Sequence, residues 1–556
     1  MAQRPHVWPG RRGDGVRVVV LVGPGGSLTP TDLVLACKGL AEPRFLLDAR
    51  DPASEPLYEV CRALGPAERV DFADPAACLA AVREAGADAV TTFTEQLCAL
   101  AAVLDREACG YDGNRVAWGR KDLQRHALRR AGVSGVRSAP LPDAGALRAF
   151  AAEVGFPFVV KPVDGFASRD TWQLKGPADV DAFMAAADAD RRARRDPGRD
   201  PGPDTRTGPG GVGGAGGGAG GRAGGGSAGG DGGADGWPHG LYAEEFIAGH
   251  PAGTSFVPSW VADYGSADVL LGGVRPDEHS GPGAPAGHDA PTSDVADAPA
   301  LVSSRPPLAW PFRETGLILP SPLPEDEQRA YAAVARRALA AVGATKGAFH
   351  VELKSTAAGP EIIEINGRIG GFVARGLRLA SGADLGRQAV ACALGHPPVL
   401  EPRWRRCVAL VLHQPPPAAR RVTAVPAREA LAALPGVIAV DMLAAPGDQV
   451  HWRHGTLGMT ARLWVVGDDH AQLRERFVGV TEFLVHRIGY ADEAGRPVRD
   501  RTWLDALSGA GAGSGAAPGS APRPVPVPGA RPPGSAPAAP ARPVADDQTT
   551  VREAER

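Results

Sequence analysis

Residues Gly347–Phe372 read GAFHVELKSTAAGPEIIEINGRIGGF and decide the fold. Apolar and polar residues alternate in two runs on either side of a Gly-Pro pair. Such period-2 alternation around a turn predicts a β-hairpin. With the turn centred on Ala358, Glu352 lies opposite Glu364, and His350 lies opposite Asn366.

This pairing places two carboxylates side by side, which needs compensation. Directly opposed Cβ atoms are about 5 Å apart, and like charges at that distance are destabilising. A hard cation such as Mg²⁺, which binds carboxylate, amide and phosphate oxygens, would supply the compensation. Arg368 adds a positive charge on the same face, and Gly370 and Gly371 let the backbone approach a ligand. The alternative interpretation is a solvated hairpin face with scattered charges.

Composition narrows the function classes. A chain of 556 residues is long enough for several domains, and its net charge of -3 gives no reason to expect nucleic acid or an anionic membrane as partner. No apolar run is long enough to span a bilayer, and the N-terminus lacks the apolar core of a secretory signal. The 7 cysteines are scattered and odd in number. They predict a reducing cytoplasm, without a zinc site or a disulfide framework.

Lysine is rare in this chain. Only six of its 60 basic residues are lysine: Lys38, Lys121, Lys161, Lys175, Lys346 and Lys354. A lysine kept against an arginine bias suggests a position that needs a compact ammonium group rather than a planar guanidinium.

The first hundred residues predict an α/β unit. Val16–Val22 is a continuous β-branched run, as in a buried parallel strand, and further strand and helix patterns alternate up to residue 115. The glycine-rich loop Gly23–Gly26 is a weak dinucleotide signal, because GPGG is not GxGxxG. A plain strand-to-helix turn is the other interpretation.

Two segments carry the conspicuous lysines. A helix opens at Lys121, with Leu123, Ala127 and Leu128 predicted on its apolar side. Lys161 ends a predicted strand and is followed by the small-residue loop Asp164–Arg169. Backbone N–H groups in such a loop can cover phosphates, although the pattern taken singly favours a surface hairpin.

The remaining segments are predicted as follows. Residues 188–235 are a low-complexity, disordered insertion, and 508–556 are a disordered Pro/Ala-rich tail. Strands are expected at 241–248, carrying Glu244 and Glu245, and at 254–264 and 269–274, with a mobile loop at 279–300. A helix is expected at 325–342, another at 385–394, and a smaller α/β segment at 401–507.

Four stretches in this order resemble the ATP-grasp superfamily, in particular the carboxylate–amine ligases that include bacterial L-amino acid ligases. They are VVKPVDGFASR, YAEEFIAG, ETGLILPSPL and HVELKSTAAGPEIIEINGRIGG. The resemblance implies an α/β protein of the α+β grasp type. Its expected parts are a Rossmann-like pre-ATP-grasp domain (16–115), a two-subdomain ATP-grasp domain (116–400), a C-terminal α/β domain (401–507) and the tail.

The resemblance also implies roles for individual residues. The metal ligands would be Glu352, Glu364 and Asn366, and Arg368 would stabilise the acyl-phosphate and its transition state. The nucleotide-binding residues would be Lys121, Lys161, Gly165, Ala167, Ser168, Glu244 and Glu245.

The implied activity is an ATP-dependent ligase that forms an amide or peptide bond through an acyl-phosphate and releases ADP and phosphate. ATP and Mg²⁺ are the implied cofactors, with Mn²⁺ as a substitute, and the partners are a small-molecule carboxylate and amine, with an amino acid among them. A homodimer is compatible with the resemblance. Two alternatives stay open: an ATP-grasp carboxylase that activates bicarbonate, and an NAD-dependent oxidoreductase built on the N-terminal unit.

Overall fold

A computed structural model describes residues 15–111, 118–165, 168, 170–195, 240–250, 258, 260–272 and 293–508. Within these ranges, no helix combines the length and the apolarity that are needed to cross a membrane.

The N-terminal part is a parallel four-stranded sheet with strand order β3-β2-β1-β4. Its elements are β1 Arg17–Val22, α1 Pro30–Cys37, β2 Glu42–Asp48, α2 Glu55–Leu64, β3 Ala67–Val70, α3 Pro75–Glu84, β4 Ala89–Thr92 and α4 Cys98–Cys109. The β-branched residues of β1 are fully buried, as their continuous apolar run predicts. The Rossmann-like topology is thus confirmed, although α2 and β3 were not predicted.

The glycine-rich loop after β1 packs against its own domain. The backbone N–H of Gly23 donates to Thr94 Oγ1 at 3.2 Å, and a Cβ at Gly26 would lie 3.2 Å from the same oxygen. This close packing is what a plain strand-to-helix turn requires.

A second, antiparallel sheet follows, with strand order β5-β8-β6-β7. Its elements are α5 Lys121–Arg130, β5 Ser138–Leu141, α6 Ala144–Val154, β6 Phe158–Pro162, β7 Trp172–Leu174, α7 Pro177–Arg195 and β8 Leu241–Glu245. The start of the predicted disordered insertion at residue 188 is wrong, because α7 continues to Arg195. Residues 196–239 lie outside the described ranges.

The third sheet is the largest, with eight strands in the order β13-β12-β9-β10-β11-β14-β17-β16. Up to the C-terminal segment its elements are β9 Tyr264–Gly272, α8 Ser293–Ala296, β10 Ala300–Ser304, β11 Gly316–Leu319, α9 Glu325–Val342, β12 Lys346–Thr356, β13 Gly359–Asn366, α10 Val373–Ser381 and α11 Leu385–Ala393. The helix at 325–342 is confirmed and ends at Gly343, whose φ of 77° is left-handed.

Two predictions between β8 and α9 need correction. The predicted strands at 254–264 and 269–274 lie only partly within the described residues, since 251–257 and 259 are outside them. Residues 260–263 form no strand, and one continuous strand, β9, runs from Tyr264 to Gly272, so the predicted break between residues 264 and 269 is wrong. The predicted loop at 279–300 ends early, since α8 forms at Ser293 and β10 begins at Ala300. Residues 273–292 lie outside the described ranges.

The C-terminal segment contributes β14 Cys407–His413, β15 Arg421–Ala424, α12 Arg428–Ala432, β16 Val437–Met442, β17 Ala461–Gly467, α13 His470–Arg487, β18 Gly489–Ala491, β19 Pro497–Val498 and α14 Thr502–Ser508. Three of its strands, β14, β16 and β17, extend the eight-stranded sheet through the β11–β14 pairing. The segment 401–507 therefore shares its main sheet with strands β9 to β13, whereas β15, β18 and β19 form a small sheet of their own.

Candidate active site

The hairpin β12–β13 places Glu352 directly opposite Glu364, and His350 opposite Asn366, as the sequence predicts. The turn itself differs from the prediction. Thr356 pairs with Gly359, so the tip is centred half a residue earlier than Ala358. A β-bulge at Ile363 adds one residue to β13 and restores the predicted register at the carboxylates.

The two carboxylates have different electrostatic surroundings. Lys121 Nζ lies 2.7 Å from Glu364 Oε1. Burial alone would raise the pKa of Glu364, but the ammonium groups of Lys121 and Lys161 outweigh burial and lower it. Burial and the neighbouring Glu364 raise the pKa of Glu352. The protein itself thus supplies part of the compensation: Lys121 and Lys161 act on Glu364, and His350 and Arg305 partly offset the raised pKa of Glu352.

Asn366 and Arg368 extend the site toward the N-terminal domain. Arg368 Nε lies 2.9 Å from Glu95 Oε2, at the start of a short 3₁₀ turn (Glu95–Leu97) before α4. With its amide nitrogen facing the carboxylates, Asn366 donates to Glu364 Oε1 and to Glu95 Oε1, each at 2.8 Å. Burial raises the pKa of Glu95, although Arg368 partly offsets this effect. Glu95 is thus a residue of the site that the sequence analysis did not single out.

Asp268 fixes the loop that carries Arg368. It lies on β9 opposite His350 and is fully buried. Its Oδ1 accepts a hydrogen bond from the Gly370 N–H at 2.7 Å and lies 3.1 Å from His350 Nδ1. A Cβ at Gly370 would come within 2.5 Å of the His350 ring, so only glycine fits there. The expected close approach at Gly370 is real, but it serves packing against His350.

The nucleotide-side residues form a second buried group. Lys161 Nζ lies 2.5 Å from Glu244 Oε1, and Arg125 Nη2 lies 3.2 Å from Glu244 Oε2. Burial would raise the pKa of Glu244, but Lys161 and Arg125 outweigh it and lower the pKa. Glu245 instead pairs at the surface with Arg137, at 3.1 Å.

Helix α5 presents a different face from the predicted one. The buried residues are Gln124, Arg125 and Leu128, whereas Leu123 is 45% exposed. The predicted apolar side is therefore wrong at Leu123. The helix turns a polar stripe inward because the hairpin and β8 supply partners for Arg125.

A polar row crosses the sheet from the carboxylates. Ser266 on β9 lies beside Glu352, and Ser303 on β10 lies beside Ser266. Arg305, just after β10, donates to both serine hydroxyls and lies 2.9 Å from Glu314 Oε1. The negative charge of Glu314 adds to the factors that raise the pKa of Glu352. The acidic surface of the site therefore continues to the ETGLILPSPL stretch.

The predicted phosphate loop is described in part. Gly165 lies three residues after the end of β6, and Ser168 and Asp170 have left-handed φ values of 54° and 51°. Left-handed residues within a short loop can turn backbone N–H groups toward an anion. Ala167 lies outside the described residues.

The donors fit Mg²⁺ in kind. Two carboxylates and an amide share one face of the hairpin, and Mg²⁺ in nucleotide enzymes is held by one or two carboxylates together with substrate phosphates. Among the described residues, no cluster of three or more His, Cys, Asp or Glu side chains forms a ready-made cation site. The side chains thus suit an ion that arrives with phosphate oxygens better than one held by protein alone.

Comparison with known proteins supports the fold. The structure resembles that of an L-amino acid ligase from Bacillus licheniformis with a TM-score of 0.56 and 16% sequence identity, over 87% of this chain and 100% of that one. It resembles N5-carboxyaminoimidazole ribonucleotide synthetase, purK, solved with ADP, with a TM-score of 0.52 and 13% identity, over 84% and 97%. The ATP-grasp fold predicted from the sequence is confirmed.

Sequence comparison gives shorter matches. Carnosine synthase 1 of Gallus gallus is 47% identical over 106 residues, which is 19% of this chain and 11% of that protein. Carnosine synthase 1 of Homo sapiens is 41% identical over 108 residues, or 19% and 13%. The match thus spans about an eighth of the length of these relatives. No family model matches the chain.

Proposed function

We propose that this protein is an ATP-dependent carboxylate–amine ligase that joins an amino acid to a second substrate through an amide or peptide bond. The observation that carries the proposal is the pairing of Glu352 with Glu364, on an ATP-grasp fold, with Lys121 and Arg368 beside the pair. A part-buried acidic pair with adjacent fixed cations suits the binding of a metal-bound nucleotide.

Different residues of the chain would bind the metal ion and the phosphates of ATP. Glu352, Glu364 and Asn366 would hold Mg²⁺, or Mn²⁺ in its place, and the ion would neutralise charge on the transferring phosphoryl group. Lys121 and Lys161 would bind the phosphates, and the loop with Gly165, Ala167 and Ser168 would cover them. Both lysines lie beside carboxylates, Lys121 Nζ 2.7 Å from Glu364 Oε1 and Lys161 Nζ 2.5 Å from Glu244 Oε1. ATP phosphates would compete for those ammonium groups.

Glu244 and Glu245 differ in how accessible they are to the adenine base of ATP. Glu244 is 4% exposed and engaged by Lys161 and Arg125, so its main contribution would be to orient Lys161. Glu245, paired with Arg137 at the surface, is open enough to meet a base.

The first chemical step would activate the carboxylate. A carboxylate oxygen attacks the γ-phosphorus of ATP, the bond to the β,γ-bridging oxygen breaks, and ADP leaves. Such a transfer is achieved mainly by positioning and charge neutralisation. Arg368 would stabilise the acyl-phosphate oxygens, because its planar guanidinium can make two parallel contacts.

The second step would form the amide. The amine nitrogen attacks the acyl carbon, the bond from that carbon to the phosphate oxygen breaks, and inorganic phosphate leaves with the electron pair. The nitrogen gives its proton to solvent. The phosphate loop would exclude water from the acyl-phosphate, which otherwise hydrolyses.

The names of similar proteins favour amino acids over bicarbonate. Carnosine synthase 1 matches by sequence, and its name describes the synthesis of carnosine, not a carboxylation. The L-amino acid ligase and purK both match at the level of the fold alone, and of these two names the first refers to amino acids. We also propose a cytoplasmic location, because seven free, scattered cysteines suit a reducing compartment. Light scattering would test the homodimer that the family resemblance suggests.

The experiment is a screen of amino acids, singly and in pairs, with ATP and Mg²⁺. Phosphate release would be scored first, and mass spectrometry would then identify the condensed product. Parallel reactions would contain bicarbonate alone or NAD with reduced and oxidised substrates. The proposal predicts phosphate release that requires an amino acid. Release that requires only bicarbonate, or turnover with NAD and none with ATP, would reject it.

A further inference from the structure

Arg125 is a buried arginine at the junction of the metal side and the nucleotide side of the site. It is 3% exposed and lies on α5 one turn after Lys121, on the same face of the helix. Its Nη1 donates to the carbonyl oxygen of Ile362, and its Nη2 donates to that of Ile363, each at 2.9 Å. Arg125 therefore donates hydrogen bonds to two successive carbonyl groups of β13.

Those carbonyls belong to the β-bulge that sets the register of the acidic pair. Below the bulge Leu353 pairs with Ile362, and above it Glu352 pairs with Glu364. Without the extra residue, Glu352 would face Ile363. Because side chains alternate along a strand, a shift of one residue would turn Glu364 to the opposite face of the sheet.

A bulge interrupts the ladder of backbone hydrogen bonds, so its carbonyl groups need other donors when they are buried. A guanidinium offers several N–H groups in one rigid plane, which suits two neighbouring carbonyls. A lysine ammonium lacks that shape. The remaining contacts of Arg125 go to Glu244 Oε2 and Ser134 Oγ, each at 3.2 Å. One side chain thus links the bulge to the carboxylate that orients Lys161.

We infer that Arg125 is a positioning residue that holds Glu364 opposite Glu352 and, through Glu244, holds Lys161 in the same arrangement. This inference rests on the proposed function. Arg125 does not meet a substrate in this account: Lys121 and Glu364 do, and Arg125 fixes the backbone beneath Glu364.

The test compares Arg125→Lys and Arg125→Gln with the wild-type protein. Lys346→Met is the matched control, because Lys346 is also a buried cation, 6% exposed and 2.6 Å from Asp105, and it lies at the start of β12, paired with Gly272 on β9. The measurements are the apparent Mg²⁺ constant and the ATP KM for phosphate release, the thermal shift with ATP and Mg²⁺, and hydrogen exchange of peptide 359–366.

In both Arg125 variants, the Mg²⁺ concentration that gives half-maximal phosphate release is expected to rise about tenfold or more, which corresponds to about 1.4 kcal/mol. Hydrogen exchange in peptide 359–366 is expected to become faster. Arg125→Lys keeps the charge and serves if Arg125→Gln does not fold. Lys346→Met is expected to lower the Tm and leave the Mg²⁺ constant within about twofold.

Unchanged Mg²⁺ dependence and unchanged exchange in folded Arg125→Lys would overturn the positioning role while leaving the proposed function intact. Wild-type protein that gains no stability from ATP and Mg²⁺, and releases no phosphate, would instead overturn the proposed function and this inference with it.

Discussion

Lys121 Nζ lies 2.7 Å from Glu364 Oε1, so the first residue of α5 neutralises one member of the acidic pair. The other member, Glu352, has no such cation at salt-bridge distance among the described residues and lies 3.8 Å from His350 Nε2. An asymmetric pair of this kind favours the ionised form of Glu364 and can still attract a divalent cation.

Replacing Lys121 by methionine is expected to weaken ATP binding. The substitution removes a phosphate-binding ammonium group and leaves the Glu364 carboxylate, 18% exposed, without its partner, and such a loss costs about 3–5 kcal/mol in fully buried pairs. We expect the ATP KM to rise about tenfold or more. Steady-state phosphate release at varied ATP would measure it, with the exposed Lys38→Met as control. Equal effects of the two substitutions would contradict the role of Lys121.

Arg368→Ala is expected to lower amino-acid-dependent ADP release by about a hundredfold or more, because an aligned charge that acts on the transition state contributes about 3–4 kcal/mol. Stabilisation by ATP and Mg²⁺ should persist, since Arg368 is paired with Glu95 and not with the predicted nucleotide lysines. Arg368→Lys should not restore the rate, because it lacks the planar fork. Near-normal turnover in either variant would remove Arg368 from the mechanism.

Asp268 gives a test of the loop that carries Arg368. Asp268→Asn keeps an oxygen that can accept from the Gly370 N–H, whereas Asp268→Ala does not. We expect kcat to fall about tenfold or more in Asp268→Ala and to stay within about fivefold of wild type in Asp268→Asn, with the ATP KM changed little in both. If the asparagine variant were as impaired as the alanine variant, the hydrogen bond to Gly370 would not be what matters.

His413 predicts acid sensitivity of the C-terminal region. Burial lowers the pKa of His413 to about 3, and the ring lies between Thr460 and Tyr490. In the unfolded chain the pKa of a histidine is about 6.5. Between these values only the unfolded state takes up the proton, so stability falls as the pH falls from about 6.5 toward 3, by about 1.4 kcal/mol per pH unit for this group.

The matching measurement is the urea midpoint between about pH 7 and about pH 5. His413→Gln should flatten the pH dependence relative to the wild-type protein, whatever its effect on stability at neutral pH. The exposed His126→Gln should retain the wild-type slope. A wild-type slope in His413→Gln would show that other groups cause the acid sensitivity.

Local patterns carried much of the prediction of the fold and the hairpin. Alternation in residues 347–372 predicts both strands and the opposition of Glu352 and Glu364, because side-chain direction along a strand has a strict period of two. The bulge at Ile363 escaped prediction, since no glycine or proline marks it. The register came out right because the displaced turn and the bulge offset each other.

Residues that join the site through distant contacts could not be found by local patterns. The sequence pattern around Arg125 is typical of a solvated helix residue. In the fold it is buried by contacts with Ile362, Ile363 and Glu244, which lie more than a hundred residues away in the sequence. Asp268 and Glu95 lie on other elements of the fold, and no motif marks either. Their one sequence signal is a carboxylate in or beside an apolar segment, which predicts a buried partner without naming it.

The central claim is that a substrate carboxylate is phosphorylated, and oxygen transfer tests it most directly. An amino acid that sustains turnover would be labelled with ¹⁸O in its carboxylate, and the released phosphate would be analysed by mass spectrometry alongside ADP and the amide product. The account predicts one labelled oxygen in each phosphate, equal amounts of ADP, phosphate and amide, and loss of all three in Glu364→Gln. Unlabelled phosphate, or AMP and pyrophosphate in place of ADP and phosphate, would contradict it.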